Sequence, residues 1–171
     1  MALLLGIDIG TSSVKAVLFD SDNSQIVAVQ GAEYPIHKPA PNRAEQDPDD
    51  WWRASVSVIR AVMARSPHSA IAGISLSGQM HGTTLVDADG QPVGRAIIWA
   101  DQRSAEVLPE LIARVGAEAY SAIAGTLPAA GFMGPTLMWL ARHEPERLER
   151  AHRALLPKDY VQLRLTGEMS T

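Results

Sequence analysis

The chain has 171 residues, 46% hydrophobic and 20% charged, which is globular composition with enough length to bury a substantial core. A net charge of −4 offers no electrostatic footprint for nucleic acid, and no run of like charges forms a binding tail. Without cysteine there are no disulfides, thiol nucleophiles or thiolate zinc sites, and Asp8 interrupts the opening apolar run too early for a leader or membrane span, so the reading is a soluble cytoplasmic protein with no membrane partner.

Residues 3–9 form a nearly continuous apolar run ending at Gly10, which predicts a central strand buried on both faces. Residues 14–19 and 26–29 are two more such runs, with turn chemistry at Asp22-Asn23-Ser24 between them, so three strands should form an antiparallel meander. Residues 34–42 carry Pro35, Pro39 and Pro41 and cross in extended form. A helix then begins with Asp47 as cap, Pro48 at its first position and Asp49 and Asp50 at its positive end. Its apolar stripe is read as Trp52, Val56, Ile59 and Met63, and its stop as Ser66-Pro67. Residues 71–76 are another strand, and 83–86 and 96–99 are short strands around an Asp89-Gly90 turn. Beyond Ser104 the pattern predicts helices over 104–115 with a kink at Pro109, then 117–124, 134–143 and 158–165, with a brief strand at Leu155-Leu156. This order predicts one compact α/β domain of the ribonuclease H-like, actin-like ATPase type: a mixed sheet with an antiparallel three-strand start and helices on its faces. A generic α/β domain competes with it on pattern alone.

Gly6-Ile7-Asp8-Ile9-Gly10-Thr11-Ser12-Ser13 is the sharpest word. A carboxylate on a buried strand is costly unless paired, hydrogen-bonded or close to a cation. Gly10 permits a tight turn with exposed amides, and Thr11, Ser12 and Ser13 add hydroxyls, so the segment can nest phosphate oxygens with Asp8 holding water on Mg²⁺. Lys15, one strand step beyond, adds positive charge or simply faces solvent. A β-turn with a capped Asp is the bland alternative. An aspartic protease loop would need a hydroxyl residue where Ile9 stands, and no G-x-x-x-x-G-K-[ST] loop is present.

Ser77-Gly78-Gln79-Met80-His81-Gly82 follows a strand, where α/β proteins place binding groups. Gln79 and His81 suit a polyhydroxylated ligand, and Met80 gives adaptable apolar contact. In Trp99-Ala100-Asp101-Gln102-Arg103 an indole face can cover a sugar, while Asp101 and Arg103 bind hydroxyls or lock each other. A core tryptophan ahead of a helix capped by Asp101 is the equal alternative.

Together with Ala44-Glu45-Gln46-Asp47-Pro48, Trp51-Trp52 and Leu156-Pro157-Lys158-Asp159-Tyr160, these words in this order resemble the FGGY carbohydrate kinases from end to end. Gln79-Met80-His81 resembles the ketose kinases rather than the glycerol kinases. The resemblance implies transfer of the ATP γ-phosphoryl group to the terminal hydroxyl of D-xylulose, giving D-xylulose 5-phosphate. Asp8 would organise Mg²⁺ and the phosphates, and Gly10, Thr11, Ser12 and Ser13 would line their path. Gln79, Met80, His81, Trp99, Asp101 and Arg103 would meet the ketose. Another ketose or polyol, or a non-catalytic actin-like binding module, stands as the alternative. By the same resemblance, residues 1–171 are an N-terminal domain whose general base and ATP-binding C-terminal domain lie further along a parent chain, so these residues alone would be inactive. A homodimer is compatible with it.

Overall fold

The computed structural model describes residues 2–66 and 70–169, so Pro67 of the expected helix stop lies outside the described residues. These residues fall into two compact units. The first unit comprises Met1–Pro35, Asp47–Gln79 and Pro157–Thr171; the second comprises Ile36–Gln46 and Met80–Leu156.

In the first unit β1 (Leu3–Ile9) pairs antiparallel with β2 (Ser13–Asp20), which pairs antiparallel with β3 (Gln25–Glu33). The Asp20 carboxylate closes the β2–β3 turn, accepting from the Asp22 amide at 3.0 Å and Asn23 Nδ2 at 2.8 Å. A later strand, Ile71–Gly78, lies parallel to β1 on its other side, completing a four-stranded mixed sheet. This is the expected meander with a parallel addition.

One expectation fails on β1. Leu3, Leu5, Ile7 and Ile9 are buried, but Leu4 and Asp8 are exposed, so the strand is covered on one face only. Side chains alternate across a strand, and both helices of this unit pack on the same side. They are α1 (Pro48–Met63) and a terminal helix at Pro157–Thr166, which pack against each other as well as the sheet. The opposite face carries Leu4 at 40% and Ile26 at 63% exposure, with Val17 and Phe19 half-buried, and forms an apolar trough of about 490 Å³.

The α1 cap forms as read: Asp47 accepts from the Asp49 amide at 2.9 Å, with Pro48 in the first turn. Its core stripe is different. Trp51, Ala54, Ser55, Val58 and Val62 are buried, whereas Trp52, Val56, Ile59 and Met63 flank them half-buried. The two stripes lie one residue apart, about 100° around the helix, and adjacent tryptophans made both fit the sequence. Trp51 meets the Tyr160 ring edge-on at 6.4 Å. Asp49 Oδ1 accepts from Tyr160 Oη and Arg164 Nη1, both at 2.8 Å. Burial, then the Asp49 carboxylate, pushes the Tyr160 phenol up to about 12.

In the second unit β4 (Glu45–Gln46) pairs with a strand at Ala96–Ile97, and strands at Thr84–Val86 and Arg153–Leu155 pair with each other. The expected hairpin survives as bridges from Thr83 to Ile97 and from Val86 to Pro92, with Asp87 Oδ1 accepting from the amides of Asp89 and Gln91. The helix expected over 104–115 is two pieces: a 3₁₀ turn at Arg103–Val107 and α2 (Leu108–Val115), which restarts with Pro109 in its first turn. Then come α3 (Ala117–Ala124), α4 (Met133–His143) and α5 (Pro145–Arg150), the last unforeseen. Leu85, Val93, Ile97, Val107, Trp139 and Leu140 form this unit's core. Among the described residues no helix is long and apolar enough to cross a membrane.

Candidate active site

Asp8 stands near the C-terminal end of β1, in register with Lys15 on β2 and Ser77 on the neighbouring parallel strand. Its Oδ1 accepts from Ser77 Oγ at 2.7 Å. All three side chains line one concavity of about 300 Å³ on the open face of the sheet. The carboxylate is exposed, so the burial cost anticipated from the sequence does not arise. Ser77 aims it instead, and the charge remains available for a ligand.

Gly10 follows, but not as an open nest. Its amide donates to the Ser13 carbonyl at 3.0 Å, and no residue from 10 to 13 has a positive φ. Alternating handedness is what turns successive amides toward an anion. The polar groups this turn offers to solvent are therefore its hydroxyl side chains, of which Ser12 is exposed and Thr11 and Ser13 half-buried. The turn is fastened from two directions. Tyr34 Oη donates to the Gly10 carbonyl, and the Tyr34 amide donates to Ser12 O at 3.2 Å. Gln79 donates from Nε2 to the same Gly10 carbonyl at 3.3 Å and from its amide to Ile9 O at 2.8 Å. Gly78 lets the strands come this close, since a Cβ there would lie 2.7 Å from the Ile9 carbonyl. Burial pushes the Tyr34 phenol far above its ordinary value, and the Asp8 charge adds to the shift.

Tyr34 was not nominated by sequence because its partner lies 24 residues away and no local pattern links them. Among the described residues no three His, Asp or Glu side chains cluster as a metal cage. A single exposed carboxylate suits a cation held mostly by water and substrate phosphates, as Mg²⁺ commonly is.

In the second unit Met80 is 68% exposed. His81 has φ 62°, and the Gly82 amide reaches back to Met80 O at 2.8 Å, so His81 is the middle residue of a γ-turn. A non-glycine residue held there costs about 1–3 kcal/mol, a strain concentrated at functional sites. The imidazole lies flat on the Phe132 ring, centroids 3.8 Å apart and planes 11° from parallel.

Trp99 is 49% exposed, which removes the core-tryptophan reading. Asp101 and Arg103 are the reverse, at 1% and 4% exposure. Asp101 Oδ1 accepts from the Arg103 amide and Nε, both at 2.9 Å. Its Oδ2 accepts from Arg103 Nη2 at 2.8 Å and the Ala44 amide at 2.7 Å. Arg103 Nη2 also donates to Glu45 Oε1 at 2.6 Å. Burial pulls the guanidinium pKa down, but the Asp101 and Glu45 carboxylates outweigh it and the shift is upward. The two residues lock each other, one of the roles open to them from sequence, and the lock sits directly after the exposed indole.

Residues 3–171 match the N-terminal domain of the FGGY family of carbohydrate kinases. The chain is 38% identical over 169 residues to the xylulose kinase of Escherichia coli (strain K12), an alignment covering 99% of this chain and 34% of that protein. Among solved structures it superposes on a xyloylose kinase from Brucella ovis with TM-score 0.90 and 43% identity, covering 97% of this chain and 34% of the other. A gluconate kinase from Lactobacillus acidophilus gives TM-score 0.88 at 28% identity, covering 98% and 34%. The chain thus spans about a third of the length of the relatives it matches.

Proposed function

The chain belongs to the FGGY family of carbohydrate kinases, and we propose that a full-length protein carrying it transfers the γ-phosphoryl group of ATP to the terminal hydroxyl of D-xylulose, forming D-xylulose 5-phosphate. The observation that carries this reading is the exposed Asp8 carboxylate, aimed by Ser77 and flanked by the hydroxyl turn at Thr11 to Ser13. Phosphoryl transfer asks the protein mainly for positioning and for electrostatic stabilisation of the moving group. Asp8 would hold, through water, the Mg²⁺ that accompanies ATP, an ion that would supply positive charge beside the phosphates. Gly10, Thr11, Ser12 and Ser13 border the phosphates, their turn kept in place by Tyr34 and Gln79.

On the acceptor side, His81 and Gln79 hydrogen-bond the ketose hydroxyls, and Met80 and the exposed Trp99 face cover its C–H surface. Asp101 and Arg103 serve the sugar indirectly, by holding the turn that presents Trp99. The remaining two-thirds of a full-length protein supplies the nucleotide-binding domain and the base that takes the hydroxyl proton.

The test is ADP release from ATP and Mg²⁺ with D-xylulose, D-ribulose, gluconate and glycerol offered in turn to the full-length protein. D-xylulose should give the highest kcat/KM. A higher value for gluconate or ribulose would reassign the acceptor, and no sugar-dependent ADP would end the kinase reading. His81→Ala should raise the ketose KM several-fold while leaving the ATP KM in place, since one hydrogen bond contributes about 0.5–1.5 kcal/mol. An unchanged ketose kcat/KM would remove His81 from the site.

A further inference from the structure

We propose that Phe132 is a positioning residue for the sugar site, fixing the plane of the His81 imidazole so that its ring nitrogens meet the ketose. The inference rests on the reading of His81 as a ketose contact and adds a group to it that no sequence word contained.

The strained γ-turn at His81 sets the backbone but leaves the ring free to rotate about its side-chain bonds. The flat stack on Phe132 removes that freedom. Both imidazole nitrogens donate or accept in the plane of the ring, so fixing the plane fixes the directions in which His81 can engage a hydroxyl.

Phe132 is itself well held. It is the N-cap residue of α4, and its carbonyl accepts from the Thr136 amide at 3.0 Å. The preceding Gly131 has φ +81°, its amide donates to the buried Ser104 Oγ at 3.1 Å, and a Cβ there would stand 2.1 Å from the Trp99 carbonyl. The same two residues therefore touch both sugar words. Gly131 lies against the backbone of Trp99 and Phe132 against the ring of His81. A segment with only a packing role would not need to place a flat ring parallel to an imidazole that sits in a strained turn.

Steady-state kinetics of the full-length protein test this with three variants: Phe132→Leu, which keeps an apolar side chain but loses the flat ring; Phe132→Tyr, which restores it; and His81→Ala. Phe132→Leu should raise the ketose KM about 5–10-fold with the ATP KM unchanged, and Phe132→Tyr should return it to within about 2-fold of the parent, the shift expected for loss of roughly one hydrogen bond. In a His81→Ala background Phe132→Leu should add nothing, because it acts through His81. If Phe132→Leu folds poorly, Phe132→Met in the same two backgrounds gives the same comparison. An equal KM rise with and without His81 would overturn the positioning role, as would an unchanged ketose KM in Phe132→Leu when His81→Ala has raised it. An unchanged KM in His81→Ala would instead strike the underlying reading of His81.

Discussion

Asp8 and Asp101 are the same residue type, one near the end of a strand and one just beyond a strand, and the structure uses them in opposite ways. Asp8 is exposed, and its Oδ1 accepts from Ser77 Oγ. Asp101 is 1% exposed and accepts from the Ala44 amide, the Arg103 amide and two guanidinium nitrogens. A carboxylate buried among donors of its own chain stabilises the fold; one aimed but exposed is open to a ligand. The difference teaches that burial, rather than residue type or motif membership, separates a structural lock from a carboxylate open to solvent.

The comparison breaks most visibly at the lock. Asp101→Ala leaves the buried Arg103 guanidinium with Glu45 as its close carboxylate and strips the Ala44 amide of its acceptor. Since removing one partner of a buried pair costs about 3–5 kcal/mol, the loss should approach the lower end of that range. Urea unfolding should show that loss; a midpoint close to the parent's would mean the pair is not the lock described. Asp8→Asn should do the converse, lowering kcat on the order of 10²-fold, as loss of one electrostatic group at a reacting centre commonly does. Its unfolding midpoint should match the parent's, and a large loss of stability would erase the contrast.

The smallest effect sharpens the boundary between the two roles. Tyr34→Phe deletes the hydrogen bond to the Gly10 carbonyl, and should cost about 0.5–1.5 kcal/mol. The Tyr34 pKa is raised on folding, so the folded chain holds that proton to higher pH than the unfolded chain, which releases it near pH 10. Its contribution is complete below about pH 10 and is lost as pH rises beyond. Tyr160 behaves likewise, its contribution fading between about pH 10 and about pH 12. Alkaline unfolding of Tyr34→Phe should accordingly be less steep in pH than that of the parent; an identical slope would show that the phenol is not specially held.

What was legible in the sequence was local. The Asp47-Pro48 cap, the β2–β3 turn and the strand at 3–9 are written in adjacent residues, and they form where expected. Facing was less legible. Leu4 and Asp8 belong to an apolar-looking run, yet whether both faces of a strand are covered depends on helices far along the chain. Trp51 and Trp52 could each begin an apolar stripe, and packing of the helix on the sheet and on Tyr160 selects the first. The candidate site words stand out in the sequence because they are contiguous. Tyr34 and Phe132 were missed because each acts on a turn remote in sequence, through a single contact that leaves no periodic trace.

The way the two units interleave has a consequence in time. The first unit is interrupted by the whole run Met80–Leu156, and its last helix supplies Tyr160, which bonds Asp49 across 111 residues of sequence. A ribosome adding about 5–20 residues per second needs roughly 5–20 s to make that span. Throughout that interval Trp51 has emerged without the ring that later covers it, while the second unit already has all its residues before Pro157 appears. The nascent chain thus completes the insertion before the unit that hosts it, and the late arrival of Tyr160 is the event that closes the first core.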